Sequence, residues 1–305
     1  MKLIEASYQI IPQQSGLEGI YKQIEIGGRT CYKSEDHICE GSAKKFVDKL
    51  AGYHHYSVFE HGTVYLQIQS HGDIELMNKI CWYRNNPYSK VNSDEDGVAY
   101  ITTNYRVLIE NNKLEDLKYL CTQTKHHEKR ISVRFITSRS ISHEIVRHRT
   151  MSFSQTSQRY INYSKKYDGE IPFIIPEWIK KLRKEIANTI DPVTGASRLY
   201  LLTSDLPDAI RLLTIENRAV KCWYNSMCND ESDYMFLIND QKLKPEEARS
   251  ILPNDCATEI MVTGFESDWK HFFELRCSPS AHPDIRVLAN ELKIKMNEAN
   301  YKVGE

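Results

Sequence analysis

The chain has 305 residues, 41% of them apolar and 27% charged, which suits a protein with a sizeable buried core and excludes wholesale disorder. Its 40 basic side chains face 41 acidic ones, and a net charge of -1 gives no global pull toward nucleic acid or a membrane surface. The 8 cysteines contain no C-x-x-C spacing, the amino terminus lacks the apolar core of a signal peptide, and no apolar run is long enough to span a bilayer. The expectation is a cytoplasmic chain with reduced thiols, no membrane contact and no nucleic-acid partner.

In chain order, Thr63–Gln69 alternates, with Val64, Leu66 and Ile68 on one face, and predicts a half-buried strand. The polar, turn-rich stretch 84–97 predicts an exposed excursion. Residues 131–136 alternate again through Ile131, Val133 and Phe135 and predict a second strand. Ser138 then caps a short helix with Ile141 and Ile145 facing inward. Helices are expected at 175–190, with Trp178, Ile179, Leu182 and Ile186 in one stripe, and at 216–237, with Ala219, Trp223 and Met227 at four-residue steps. Residues 191–197 read as a loop, Pro245 opens a helix with two acids behind it, and a last amphipathic helix runs from Asp284. Sheet signals thus precede residue 170 and helices dominate after it. That points to an α+β fold, a sheet flanked by helices, in one domain over 1–305 with insertions near 85–130 and 165–215.

Chemistry concentrates in residues 138–160, SRSISHEIVRHRTMSFSQTSQRY. The short helix delivers Arg147, His148 and Arg149 at its far end, and a hydroxyl-rich run leads on to Arg159. Guanidinium groups fork onto phosphate while hydroxyls and loop N–H groups fill its remaining lone pairs. A solvated basic turn is the plainer reading, but the nearly lysine-free, hydroxyl-rich continuation favours a pocket for a phosphate-bearing ligand. The histidines His143 and His148 come close to a zinc-protease spacing. At five residues apart they point about 140° from one another on a helix, against about 40° for the chelating i, i+4 pair, so no metal site is expected.

Arg147-His148-Arg149, seven residues and Ser157, extended by Arg159-Tyr160, resembles the signature of flavin-dependent thymidylate synthases. Three further blocks resemble that family in the same order: His55-Tyr56-Ser57-Val58-Phe59-Glu60-His61, the run from Glu247 to Pro253 that contains Arg249, and Phe272-Phe273-Glu274-Leu275-Arg276. The resemblance implies reductive methylation of dUMP to dTMP, with FAD as hydride carrier, NADPH as reductant and methylenetetrahydrofolate as carbon donor. It also implies a homotetramer with shared active sites. By the same resemblance Arg147, His148 and Arg149 contact the flavin, with Ser57, Glu60, Gln155 and His271 in the cofactor site. Glu144, Arg147, Gln155, Ser157, Arg159, Arg249 and Arg276 hold dUMP. Arg276 is the chemically active residue, favouring uracil ionised at N3. His55 is grouped with it near the flavin and the folate or NADPH entrance, as is Ser157, which has no base beside it in sequence and is assigned to ligand binding.

The chain departs from the family where Asn-x-Arg usually helps hold FAD, for Phe265 and Ser267 stand there. Phe265 is expected either to stack on a ring or to join the core. Cys277, beside Arg276, is read as an inert small residue. Two other functions remain open on sequence: C5 methylation of UMP in place of dUMP, and non-catalytic binding of nucleotide or RNA.

Overall fold

The computed structural model describes residues 1–194, 197–198 and 200–303. Strands β1 (Lys2–Ile4) and β2 (Ser7–Ile11) lead into helices α1 (Gly16–Tyr32) and α2 (Ser42–Gly52). Next come β3 (Thr63–Gln69), α3 (Ile74–Asn85), β4 (Lys90–Ser93), β5 (Val98–Asn104) and α4 (Tyr105–Glu110). These are followed by β6 (Arg130–Ser138), α5 (Arg139–Ile145), β7 (Ser152–Gln155) and β8 (Pro172–Ile174). The helices α6 (Glu177–Ala187), α7 (Tyr200–Thr203), α8 (Leu206–Glu216), α9 (Arg218–Asn239) and α10 (Pro245–Ala248) precede the last strand, β9 (Ala257–Phe265). The chain closes with α11 (Glu266–Arg276) and α12 (Pro283–Glu298).

The class is α+β, and among the described residues the strands are distributed over three sheets. An antiparallel sheet runs β2-β6-β9-β7, a second runs β3-β5-β4, and β1 pairs in parallel with β8. The alternating runs fold as read: Val64, Leu66 and Ile68 are fully buried on β3, and Ile131, Val133 and Phe135 are buried on β6. Ser138 caps α5 by accepting the Ile141 N–H, and Ile141 and Ile145 face the core.

Four expectations need correction. Strands are not confined to the region before residue 170, because β8 and β9 follow it, and β9 is a central strand with all nine residues buried. The excursion at 84–97 is the end of α3 and then β4, an edge strand whose exposed side chains mimic a loop in sequence. On α6 it is Ile179 that is buried, while Trp178 is 43% exposed. The expected helix at 216–237 is interrupted at Asn217, whose side chain accepts the N–H groups of Ala219 and Val220 and starts α9 anew. Its buried stripe then runs through Val220, Met227, Tyr234 and Ile238, leaving Ala219 exposed. Within the loop expected at 191–197, the Asp191 carboxylate accepts the Val193 and Thr194 N–H groups in a side-chain-closed turn; residues 195 and 196 lie outside the described residues.

Two packing constraints position the site. On α1, a Cβ added to Gly27 would lie 2.7 Å from the His61 ring, so only glycine lets the helix seat against that imidazole. His61 is buried and bridges two strands, meeting Thr263 Oγ1 at 2.8 Å and Ser154 Oγ at 2.9 Å. The second constraint is the cluster joining β6 and β9 to α5, α11 and α12, with Trp269 and Phe272 fully buried at its centre. Trp269 Nε1–H donates to the Ile131 carbonyl at 3.1 Å, which ties α11 to β6. Truncating Trp269→Ala removes that bond and leaves a cavity; it should lower unfolding stability by about 3–5 kcal/mol. Equilibrium denaturation would read the loss, and a change below about 1 kcal/mol would refute this account of the core.

Candidate active site

α5 and α11 converge on one ion pair. Arg276, in the last turn of α11, donates from Nη1 to Glu144 Oε2 at 2.8 Å, from Nη2 to the Glu144 carbonyl at 2.7 Å, and from Nε to His148 Nε2 at 3.0 Å. The Glu144 carbonyl lies in the last turn of α5, where helix geometry leaves carbonyls short of partners and favours a cation. Arg276 therefore serves as a cap for α5 as well as a partner for its carboxylate. Three of its five N–H groups are engaged, so two remain for a ligand edge.

His148 fixes the direction of this guanidinium. Its Nε2 accepts, so the ring is neutral with its proton on Nδ1. Burial, helped by the Arg276 and His271 charges, pulls its pKa down to about 4. The ring packs 4.8 Å from Phe272, and the exposed His271 lies 6.1 Å away. His143 is exposed while His148 is buried, so the two imidazoles do not face a common point. Among the described residues no group of His, Cys, Asp and Glu gathers as a metal site.

The remaining residues singled out in the sequence fall into three groups. Gln155 joins the α5 neighbourhood, donating to Ser142 Oγ at 2.7 Å and Thr258 Oγ1 at 3.1 Å. Ser157, half-buried, follows on the next loop, where its N–H donates to the Cys31 carbonyl at 2.9 Å; Arg159 is exposed and reaches Glu246 at 3.4 Å. Arg147, Arg149 and Arg249 are exposed, and their side chains make no hydrogen bond or ion pair among the described residues. His55, Ser57 and Glu60 lie on a 3-10 turn, Tyr56–His61, and the residue before it. No hydrogen bond or ring contact among the described residues joins these three to the Arg276 cluster.

Other residues of the site carried no signal in sequence. Arg106 on α4 grips Glu60 at 2.6 Å, across a chain separation that no local pattern reveals, and its i, i+4 neighbour Glu110 at 3.0 Å. Arg139 at the start of α5 donates to the Thr156 carbonyl at 3.4 Å; burial lowers its pKa and neighbouring Arg249 adds to that. His61 was visible only as the neighbour of Glu60, yet it is the buried hub described above. At the departures, Phe265 is 6% exposed with the Arg130 guanidinium 5.4 Å from its ring centre, and Ser267 donates to Glu128. Both positions are thus absorbed by internal contacts. Burial raises the Cys277 thiol pKa, which keeps it protonated and unreactive.

Two cavities lie beside the turn that carries His55 and Glu60. One, of about 560 Å³, is lined by the end of α1, the face of α2 and His55; the other, of about 420 Å³, is lined by Glu60, Arg106 and residues of α4. Neither includes Arg147, His148 or Arg276.

Residues 92–299 match the family model described as thymidylate synthase complementing protein. The chain belongs to that family. The matched span contains α5, α11 and the whole Arg276 cluster, while His55, Ser57 and Glu60 precede it. Proteins named flavin-dependent thymidylate synthase are similar in sequence. That of Corynebacterium efficiens is 34% identical over 157 residues, 50% of this chain and 51% of the relative. That of Clostridium tetani is 33% identical over 155 residues, covering 51% and 53%. The chain thus spans about half the length of the curated relatives it matches. Among solved structures, the UMP/dUMP methylase PolB from Streptomyces cacaoi aligns over 98% of this chain and 93% of its own at 15% identity. Its TM-score of 0.41 is too low to bear on fold or chemistry.

The two buried histidines make stability depend on pH. His61 is held down to about 3, chiefly by burial, and His148 to about 4. Above pH 6.5, the ordinary histidine value, both rings are neutral folded and unfolded, and the fold has its full stability. Below it the unfolded chain binds protons that the native rings refuse, and stability falls until the folded values are reached. The expected decline is on the order of 1 kcal/mol per pH unit for each ring. Urea titrations from pH 7 to 4.5 should show it, with a shallower slope for His148→Gln; an unchanged slope in that variant would mean that His148 is not held neutral.

Proposed function

We propose that the chain is a flavin-dependent thymidylate synthase, a methyltransferase that converts dUMP to dTMP with methylenetetrahydrofolate as carbon donor and NADPH as reductant. The observation that carries this reading is the Arg276 guanidinium, held by Glu144 and His148 on a family-matched span with two N–H groups unspent. A fixed cation facing a pyrimidine edge lowers the cost of negative charge on the ring. That supports Arg276 as the residue favouring uracil ionised at N3, which activates C5 without an enzyme nucleophile. Preorganisation matters here, because a guanidinium already held by three bonds does not reorganise as charge develops.

The phosphate side of dUMP is assigned to Ser157, Arg159 and Arg249, with Gln155 and Glu144 at the sugar and base. The exposed, unpaired Arg249 fits a dianion, which needs several matched donors once water leaves. For FAD, Arg147 and Arg149 fit as unpaired cations at the end of α5, with His148, Ser57, Glu60 and His271 completing the assignment. Bound there, FAD supplies the hydride that turns the transferred carbon into a methyl group. Phe265 and Ser267 do not fit that role, so Arg147 and Arg149 carry more of the cofactor's phosphate charge than in relatives with Asn-x-Arg. Catalytic support from His55 and a homotetramer with shared sites complete the reading, as does a single cytoplasmic domain over 1–305.

The test is anaerobic incubation with FAD, NADPH, methylenetetrahydrofolate and dUMP, followed by chromatography. dTMP that requires all four additions is the expected outcome. Methylation of UMP in its place would reassign the substrate, and no product with no flavin bound would point to the nucleotide-binding reading. Arg276→Ala should lower turnover by about 10²–10³-fold while FAD stays bound; full activity in that variant would remove Arg276 from the chemistry.

A further inference from the structure

Arg139 is a half-buried cation without a counter-ion. It stands at the start of α5, and its side chain makes one long bond, from Nη1 to the Thr156 carbonyl at 3.4 Å. Its Nε and Nη2 bond to nothing among the described residues, and neither is sealed from solvent. Burial lowers its pKa, and the charge of Arg249 lowers it further. The neighbours whose anionic forms would oppose that shift are Tyr163 and Cys256. Both stay protonated at neutral pH, because burial lifts the Cys256 thiol to about 11 and the Tyr163 phenol well above its ordinary value. The carboxylates nearest in the chain to Arg249 and Cys256 are engaged elsewhere. Glu246 pairs with Arg159 at 3.4 Å, Glu247 accepts the Lys244 N–H at 2.9 Å, and Asp255 accepts the Trp223 Nε1–H at 2.7 Å.

The backbone holds this arginine where the proposed phosphate residues converge. The N–H groups of Arg139 and Ser140 donate to the Cys256 and Asn254 carbonyls at 3.1 and 3.2 Å, on the segment that runs straight on from the Arg249–Ile251 turn. The carbonyl that Arg139 reaches belongs to the residue before Ser157. Ser157 Oγ accepts the Arg159 N–H at 3.4 Å and donates to nothing among the described residues, so its proton is available to a ligand. Two guanidinium groups that repel each other, one of them partly withdrawn from water, are costly unless an anion joins them. A phosphate accepts from both, and its third oxygen is left for the hydroxyl.

We propose that Arg139 is a further phosphate-binding residue of the substrate site, closing on the nucleotide's phosphate together with Arg249 and Ser157. The inference rests on the methyl-transfer reading above and deepens it, for Arg139 lies outside the set that the family resemblance assigns to dUMP. Its part is binding and not chemistry. Arg139 holds the phosphate end, while the Arg276 cluster stands at the carboxyl end of the same helix. α5 then fixes both ends of the nucleotide, one through each of its termini. Arg139 also favours the doubly ionised phosphate, because a nearby fixed cation stabilises the more negative form.

Equilibrium titrations of dUMP and of deoxyuridine into the FAD-loaded protein separate phosphate binding from a structural role. Arg139→Gln should weaken dUMP by about 10–100-fold, while deoxyuridine, which lacks the phosphate, changes less than about twofold. Arg139→Lys should show an intermediate loss for dUMP alone, since it keeps the charge without the fork; it carries the comparison should Arg139→Gln fail to load FAD. Phosphorus NMR of bound dUMP gives a second reading. The second phosphate pKa should lie below its ordinary value of about 6 and rise toward it in Arg139→Gln. Undiminished dUMP affinity in both variants would overturn the proposal, as would an equal loss for dUMP and deoxyuridine or a phosphate pKa that Arg139→Gln leaves in place. The dTMP assay separates the two readings. Arg139-dependent affinity for dUMP without dTMP formation would keep the phosphate site and reject the methylation, whereas dTMP formation with undiminished dUMP affinity in the variants would do the reverse.

Discussion

The structure depends on the pairing of β6 with β9. Their register sets Ser138 opposite Ala257 and Arg130 opposite Phe265, so the two antiparallel strands finish at opposite ends of the pair. α5 starts where β6 stops, and α11 starts where β9 stops. Both helices then run inward over the same face, for Ile141, Ile145, Trp269 and Phe272 share one core. Nine strand residues cover about 30 Å, while helices of seven and eleven residues cover about 10 and 16 Å. The lengths nearly add up, and so the carboxyl ends of α5 and α11 meet over the sheet. Arg276 and Glu144 touch because two helices launched from opposite ends of the strand pair run out of length at the same place.

Meeting at carboxyl ends has an electrostatic consequence. Both termini present partly negative carbonyls, which repel one another and attract cations. The segment there reads Arg147-His148-Arg149 on one side and ends in Arg276 on the other. The basic cluster is thus what this junction needs for its own stability, and it is equally what an anionic ligand needs. The overlap explains why a plain basic turn was a reasonable reading of residues 147–149 in sequence, and why geometry distinguishes them. Arg276 and His148 turn inward to each other, while Arg147 and Arg149 stay exposed.

What was legible in the sequence follows from how each element is solvated. β3 and β6 show one face to a core, and their alternation survived in the residue pattern. β9 is buried on both faces, so Ala257 to Phe265 carries no period of two, and its threonines and glycine disguise it further. β4 failed for the opposite reason, being an edge strand whose side chains face water. At Asn217 the sequence keeps a helical rhythm on both sides, and only the capping side chain reveals the break. The site divided in the same way. Local blocks announced Arg147 to Arg159, but the Arg106–Glu60 contact and the Arg139 position depend on tertiary packing that leaves no local trace.

Phe265 and Ser267, where the sequence departs from the family pattern, are held by contacts internal to the fold. Arg130 donates to the Glu60 carbonyl at 2.8 Å and to Ser152 Oγ at 3.2 Å, and its guanidinium lies against the Phe265 ring. Burial lowers its pKa to about 10, which leaves it charged at neutral pH. A buried cation needs either hydrogen-bond acceptors or a polarisable face, and Phe265 supplies the second where an asparagine would have competed for the first. The exchange strengthens the link between β6, β9 and the Tyr56–His61 turn. Where the family resemblance places an asparagine, the fold has gained a joint between β6, β9 and the turn that carries Glu60.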